Sequence, residues 1–77
     1  SGITVETNVL SLAEGWNLIS GISTPVSVEQ IYDPQSITVP GALYGFSETY
    51  FQSEILHPGK GYWIRAISSG SITLSEN

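Results

Sequence analysis

Apolar and polar residues alternate along most of the chain in short runs bounded by Gly, Pro, Ser and Asn, which is the periodicity of strands. The clearest run is GYWIRAI, residues 61–67. Side chains alternate across a strand, so Tyr62, Ile64 and Ala66 share one face, and Trp63, Arg65 and Ile67 the other. The first face reads as core. The second carries a charge and reads as the wetter one. WNLISGI (16–22) puts Trp16 and Leu18 on one face and Ile19 on the other. Apolar residues on both faces predict a central strand covered on both sides, with Trp16 in the core. ITVETNVLSL (3–12) is rich in β-branched residues and predicts one strand, or two short ones broken at Asn8. LYGFS (43–47) and YFQSEIL (50–56) predict a hairpin turning at Glu48-Thr49, and ITLS (72–75) a final strand. QSITVPGA (35–42) reads as an edge segment, because Pro40 has no N–H to give a ladder.

Between these runs lie turn signals. AEG (13–15) and SSGS (68–71) read as turns, and HPGK (57–60) sets Pro58 and Gly59 where a type II turn wants its two central residues. STPVSVEQIYDP (23–34) is the one helical stretch, framed by Pro25 and Pro34. Ser27 and Gln30 have the capping-box spacing, in which each side chain bonds the other's backbone N–H. Val28, Ile31 and Tyr32 then fall on one face of a helix of one to two turns, held by packing alone. Six to seven short strands with one short helix near 27–32 predict a single all-β domain over residues 1–77, built as a small sandwich or barrel.

Composition narrows the function. The chain has 77 residues, 40% of them hydrophobic, with two Trp, four Tyr and two Phe. That composition folds rather than staying disordered. There is no cysteine, which excludes disulfides, thiolate metal sites and a Cys nucleophile. Seven acids (Glu6, Glu14, Glu29, Asp33, Glu48, Glu54, Glu76) face two cations, Lys60 and Arg65, for a net charge of −5. Two cations cannot neutralise a nucleic-acid backbone or hold an anionic membrane surface. No apolar run is long enough to insert across a bilayer as a helix. The chain opens on Ser-Gly without Met, as expected of a piece excised from a longer protein.

Reactive constellations are missing. His57, the sole histidine, precedes a Pro-Gly turn, and no serine sits in a G-x-S-x-G elbow, so no Ser-His-acid set is assigned. Glu48 and Glu54 flank the expected hairpin, but a domain of this size has little room for the cleft that two catalytic carboxylates need. One histidine does not make a zinc site, and Glu29 and Asp33 lack the alternation of a calcium loop. PGKG (58–61) lacks the spacing of a phosphate loop. No catalytic residue, metal ligand or cofactor is therefore assigned. The aromatic residues remain. An exposed ring offers an apolar stacking face to a sugar, with polar groups beside it for the hydroxyls. The aromatic candidates are Tyr44, Tyr50, Phe51, Tyr62 and Trp63, and the candidate ligand-binding set is Trp63, Tyr44 and Tyr50 with Arg65, the neighbour of Trp63 on its strand face. Trp63 beside Arg65 makes either a cation–π pair or a binding platform. The competing reading packs Trp63 beneath a loop while Arg65 reaches to an acid.

Two stretches echo each other. LAEGWNLIS (12–20) and LHPGKGYWIRA (56–66) both run Leu-x-x-Gly, then an aromatic residue, then an apolar strand. Leu12, Gly15, Trp16, Asn17, Leu18, Ile19 and Ser20, followed by Leu56, Pro58, Gly59, Gly61, Tyr62, Trp63 and Ile64, resemble a module of large bacterial and archaeal secreted or cell-surface proteins. There it recurs beside immunoglobulin-like and fibronectin-type domains. The resemblance covers about residues 10–75. It implies a secreted or cell-surface setting and a non-enzymatic, accessory role: a structural or interaction module. Its partners would be neighbouring domains of the parent chain or other surface proteins. The alternative is a carbohydrate-binding module whose exposed aromatics hold glycans.

Overall fold

The computed structural model describes residues 7–76. Eight strands follow in order among them: β1 (Thr7–Leu12), β2 (Gly15–Ser20), β3 (Val26–Ser27), β4 (Thr38–Ser47), β5 (Thr49–Gln52), β6 (Ile55–Leu56), β7 (Gly61–Ala66) and β8 (Gly70–Ser75). A single 3₁₀ turn, Val28–Gln30, separates β3 from β4. The all-β reading is correct. The strands form one antiparallel four-stranded sheet, ordered β2-β7-β4-β5, and two antiparallel ribbons, β1-β8 and β3-β6.

One core joins the three units. Ile19, Leu43, Tyr62, Ile64 and Ala66 come from the inner face of the sheet, Leu12, Ile72 and Leu74 from one ribbon, and Val26 and Leu56 from the other. Ile22 and Ile37 from the connecting loops complete it. The alternation in 61–67 thus reads correctly: Tyr62, Ile64 and Ala66 are buried, while Arg65 and Ile67 are exposed. The two echoing leucines, Leu12 and Leu56, both anchor in this core. The glycines three residues after them, Gly15 and Gly59, both take positive φ, at 100° and 75°. For Gly59 this is the left-handed position of the type II turn. Asn17 ties the first of these turns, accepting from Ala13 N–H at 2.9 Å and donating to Ala13 and Gly15 carbonyls at 2.8 and 3.1 Å.

Three elements differ from expectation, and β1 settles one of two readings. β1 runs unbroken through Asn8, which pairs with Leu74; residues 3–6 of the expected first strand lie outside the described residues. Residues 38–42 are not a separate edge segment but the first half of the ten-residue β4. Its ladder with β7 shifts register between Thr38 and Leu43, and Pro40 falls within that irregularity, where the missing N–H breaks no regular ladder. Gly41 takes the positive φ, 76°, in the same stretch. The expected 50–56 strand breaks at Ser53-Glu54 into β5 and β6, because Ser53 turns its hydroxyl onto Ile55, donating to its carbonyl at 2.8 Å and accepting from its N–H at 3.3 Å.

The helix shrinks to the 3₁₀ turn. Its capping box forms: Ser27 Oγ accepts from Glu29 N–H at 3.3 Å, and Gln30 Oε1 accepts from Ser27 N–H at 3.1 Å. Ile31 is already extended, and Tyr32 exchanges both backbone hydrogen bonds with Thr73 at 2.9 Å, so the chain leaves the helix after three residues. Val28 and Ile31 pack on the core, but Tyr32 is exposed, because that bridge rotates it off their face.

The following loop is held by Asp33. Its carboxylate accepts from Ile37 N–H at 3.0 Å, Thr38 N–H at 2.9 Å and Thr38 Oγ1 at 2.6 Å. Desolvation raises the carboxyl pKa, but the Thr38 hydroxyl and the N–H groups of Thr38, Ile37 and Ser36 outweigh it and hold the pKa below the ordinary 3.8. A depressed folded-state pKa adds stability above the unfolded value, and that stability is lost as pH falls through the folded one. Melts between pH 6 and pH 2 should therefore show a loss beginning near pH 4 that is shallower in Asp33→Asn. Equal slopes in the two proteins would show that the Asp33 hydrogen bonds do not stabilise the ionised form.

Candidate aromatic groove

The outer face of the four-stranded sheet follows from its register. Leu18 pairs with Trp63 and Trp16 with Arg65 across β2 and β7, Tyr44 pairs with Trp63 across β4 and β7, and Phe46 with Tyr50 across β4 and β5. The residues between them, Ile19, Leu43, Tyr62 and Ile64, point into the core. This parity leaves an aromatic surface on the side opposite the ribbons.

Trp16, Trp63, Tyr44 and Tyr50 line one open groove of about 450 Å³. Each strand of the sheet contributes one ring, in the order β2, β7, β4, β5. The register places Trp16 level with Arg65, Trp63 level with Tyr44, and Tyr50 level with Phe46 two residues further along β4. The groove therefore crosses the strands diagonally. Trp16 meets Tyr44 edge to face, with ring centroids 5.8 Å apart and planes at 65°, and Phe46 meets Tyr50 in the same manner at 5.0 Å and 67°. Such contacts fix ring orientation at about 0.5–1.5 kcal/mol each.

Trp16 corrects the sequence reading. It is 50% exposed, and it stands on an edge strand, not in a doubly covered central one. Alternation had separated Trp16 and Leu18 from Ile19 correctly. It carries no information on whether a second layer covers the Trp16 side, and none does among the described residues, since Leu18 on that face is 65% exposed. Of the candidate set, Trp63, Tyr44 and Tyr50 come together in the groove, and Arg65 stands exposed on the same face without lining it. Trp63 is half-buried between its cross-strand neighbours Leu18 and Tyr44 and faces the groove, not the underside of a loop. Phe51 belongs elsewhere: its ring lies over Gly45, where a Cβ would come within 2.6 Å of Cζ. Tyr62 is core, and its hydroxyl accepts from His57 N–H at 2.9 Å.

Among the described residues no charged side chain lines the groove. Among the described residues the four lining side chains make no hydrogen bond to the protein, so two indole N–H groups and two phenol hydroxyls remain available to a ligand. Also among the described residues, no three His, Cys, Asp or Glu side chains lie close enough to share a metal ion. The arrangement offers flat apolar faces with neutral donors and acceptors. No protein-family model, curated protein or solved structure matches the chain.

Proposed function

We propose that the chain is a non-catalytic interaction module that presents the aromatic groove to a partner, set within a secreted or cell-surface multidomain protein. The observation that carries this reading is that four rings, one per strand, two exposed and two half-buried, line a groove on a face the fold does not use for its own core. A small domain gains stability by burying its largest apolar groups. This one buries Tyr62 and leaves Trp16 half-exposed and Tyr50 61% exposed. The setting rests on the resemblance of the Gly15–Ser20 and Gly59–Ile64 blocks to modules of surface proteins.

A purely architectural role is the second reading. Leu18 and Phe46, both more than 60% exposed, widen the apolar face and suit packing against a neighbouring domain.

A binding surface must be reachable and dispensable for folding. Trp16→Ala loses its edge contact with Tyr44 and the burial of about half its ring, so we expect a loss of about 2 kcal/mol, against roughly 3–5 kcal/mol for a buried aromatic. Tyr50→Ala is expected to behave alike. Both variants should melt cooperatively within about 15 °C of the parent, and acrylamide should quench the tryptophan emission of the native protein efficiently. Quench-resistant emission, or collapse of the fold in both variants, would remove the groove as an interaction surface.

A further inference from the structure

We propose that the groove binds an uncharged, extended polysaccharide, lying flat across the sheet with successive sugar rings stacked on Trp16, on the Trp63–Tyr44 pair and on Tyr50. This rests on the groove being an interaction surface and adds the class of ligand.

The lining chooses among ligands. Among the described residues it is wholly aromatic, with no aliphatic side chain. A helix or acyl chain is held by aliphatic residues that interdigitate with it. A flat ring face instead matches the C–H face of a pyranose, and stacking on rigid aromatics carries little entropy loss. The polar groups agree. Indole N–H and phenol hydroxyls, unpartnered among the described residues, are neutral donors and acceptors at the rim of apolar faces, as ring hydroxyls require. Among the described residues no acid lines the groove, so a quaternary ammonium ligand would gain ring contacts but no countercharge from them. The net charge of −5 opposes a uronate or sulfated chain.

Geometry sets the shape of the ligand. Neighbouring strands lie about 4.8 Å apart, and from Trp16 to Tyr50 the line of rings also advances four residues along the strand direction, so the diagonal spans roughly 20 Å between backbones. One ring per strand suits a chain that offers a flat face at each unit, and the span takes a few units. The sheet face is open, so the chain that fits is a ribbon, as in β-1,4-linked hexoses and pentoses, rather than a coil.

The test is calorimetric titration of the intact 77-residue chain with cellohexaose, mannohexaose and xylohexaose, alongside hexagalacturonate and decaproline. At least one neutral hexasaccharide should bind with one-to-one stoichiometry and shift the tryptophan emission, and its disaccharide should bind more weakly. Trp63→Ala and Tyr44→Ala should weaken binding about tenfold or more, the scale of one lost ring–ring stack. Tyr50→Ala supplies the same test if either of these fails to fold. Tyr32→Ala removes an exposed ring remote from the groove and should leave affinity unchanged. Absence of binding by all three neutral hexasaccharides at millimolar concentration overturns the proposal, as does an affinity unaltered by all the groove variants. Preferred binding of hexagalacturonate or decaproline also overturns it, while leaving the groove an interaction surface. Rings that acrylamide cannot reach would overturn both readings together.

Discussion

Replacing Tyr62 by alanine is expected to lower the melting temperature by at least about 12 °C. Tyr62 is the largest of the fully enclosed side chains, 2% exposed, and stands opposite Ile19 in the β2–β7 ladder at the centre of the core. Deleting a buried aromatic of this size costs about 3–5 kcal/mol. A chain of 77 residues has roughly 4–11 kcal/mol in total, so this one change removes a large share of it. The hydroxyl adds a second effect. It accepts from His57 N–H, which pins the start of the Pro58-Gly59 turn to the strand that the turn feeds. Tyr62→Phe keeps the ring and loses only that bond, about 1 kcal/mol. Urea titrations of the two variants separate the terms. A Tyr62→Ala protein as stable as Tyr62→Phe would show that the ring is not the keystone of the core.

Gly21→Ala is expected to cost about 2–3 kcal/mol, at the upper part of the range for overpacking. A Cβ at Gly21 would sit 2.7 Å from the His57 carbonyl oxygen, 3.1 Å from its carbon and 3.3 Å from the Leu56 oxygen. These are backbone atoms. They cannot swing aside as a side chain does, since Leu56 is fully buried and paired with Val26 in the β3–β6 ribbon. Gly61→Ala is the control. Its Cβ would meet Leu18 Cδ1 at 3.7 Å, an ordinary contact, and the change should be close to neutral. Thermal melts of both variants decide the point, and equal melting temperatures would show that the chain does not approach Gly21 so closely.

Both predictions converge on His57, and this shows what kind of information the sequence carries. As the lone histidine it invites a reading of its imidazole. In the fold its side chain is exposed, and its backbone does the structural work, through its N–H to Tyr62 and its carbonyl against Gly21. Local chemistry is legible. The Ser27–Gln30 box, the Pro58-Gly59 turn and the alternation of Tyr62, Ile64 and Ala66 depend on neighbours within a few positions, and all three are present. Non-local covering is not legible. Whether the Trp16 face is roofed depends on where β1 and β8 go, and those strands pair across 58 to 68 residues of separation. The register shift that lets Pro40 sit inside β4 likewise depends on its partner β7. The groove follows the same rule: Trp63 is legible as a candidate from strand parity, Tyr44 and Tyr50 as aromatic residues of the expected hairpin, and the fourth ring, Trp16, required knowing which strand is an edge.

The β1–β8 ribbon has a mechanical consequence. Its register sets Thr7 opposite Ser75 at one end and Leu12 opposite Gly70 at the other, so the two flanks of the described chain leave from the same end of the ribbon. Tension applied through those flanks loads the ribbon's hydrogen bonds one after another, beginning at Thr7–Ser75, and peels the strands apart as a zipper opens. In shear geometry the same bonds would bear the force together. Under a pull along the polypeptide, this module is therefore a yielding link, and the ribbon that closes its core is the first part to open.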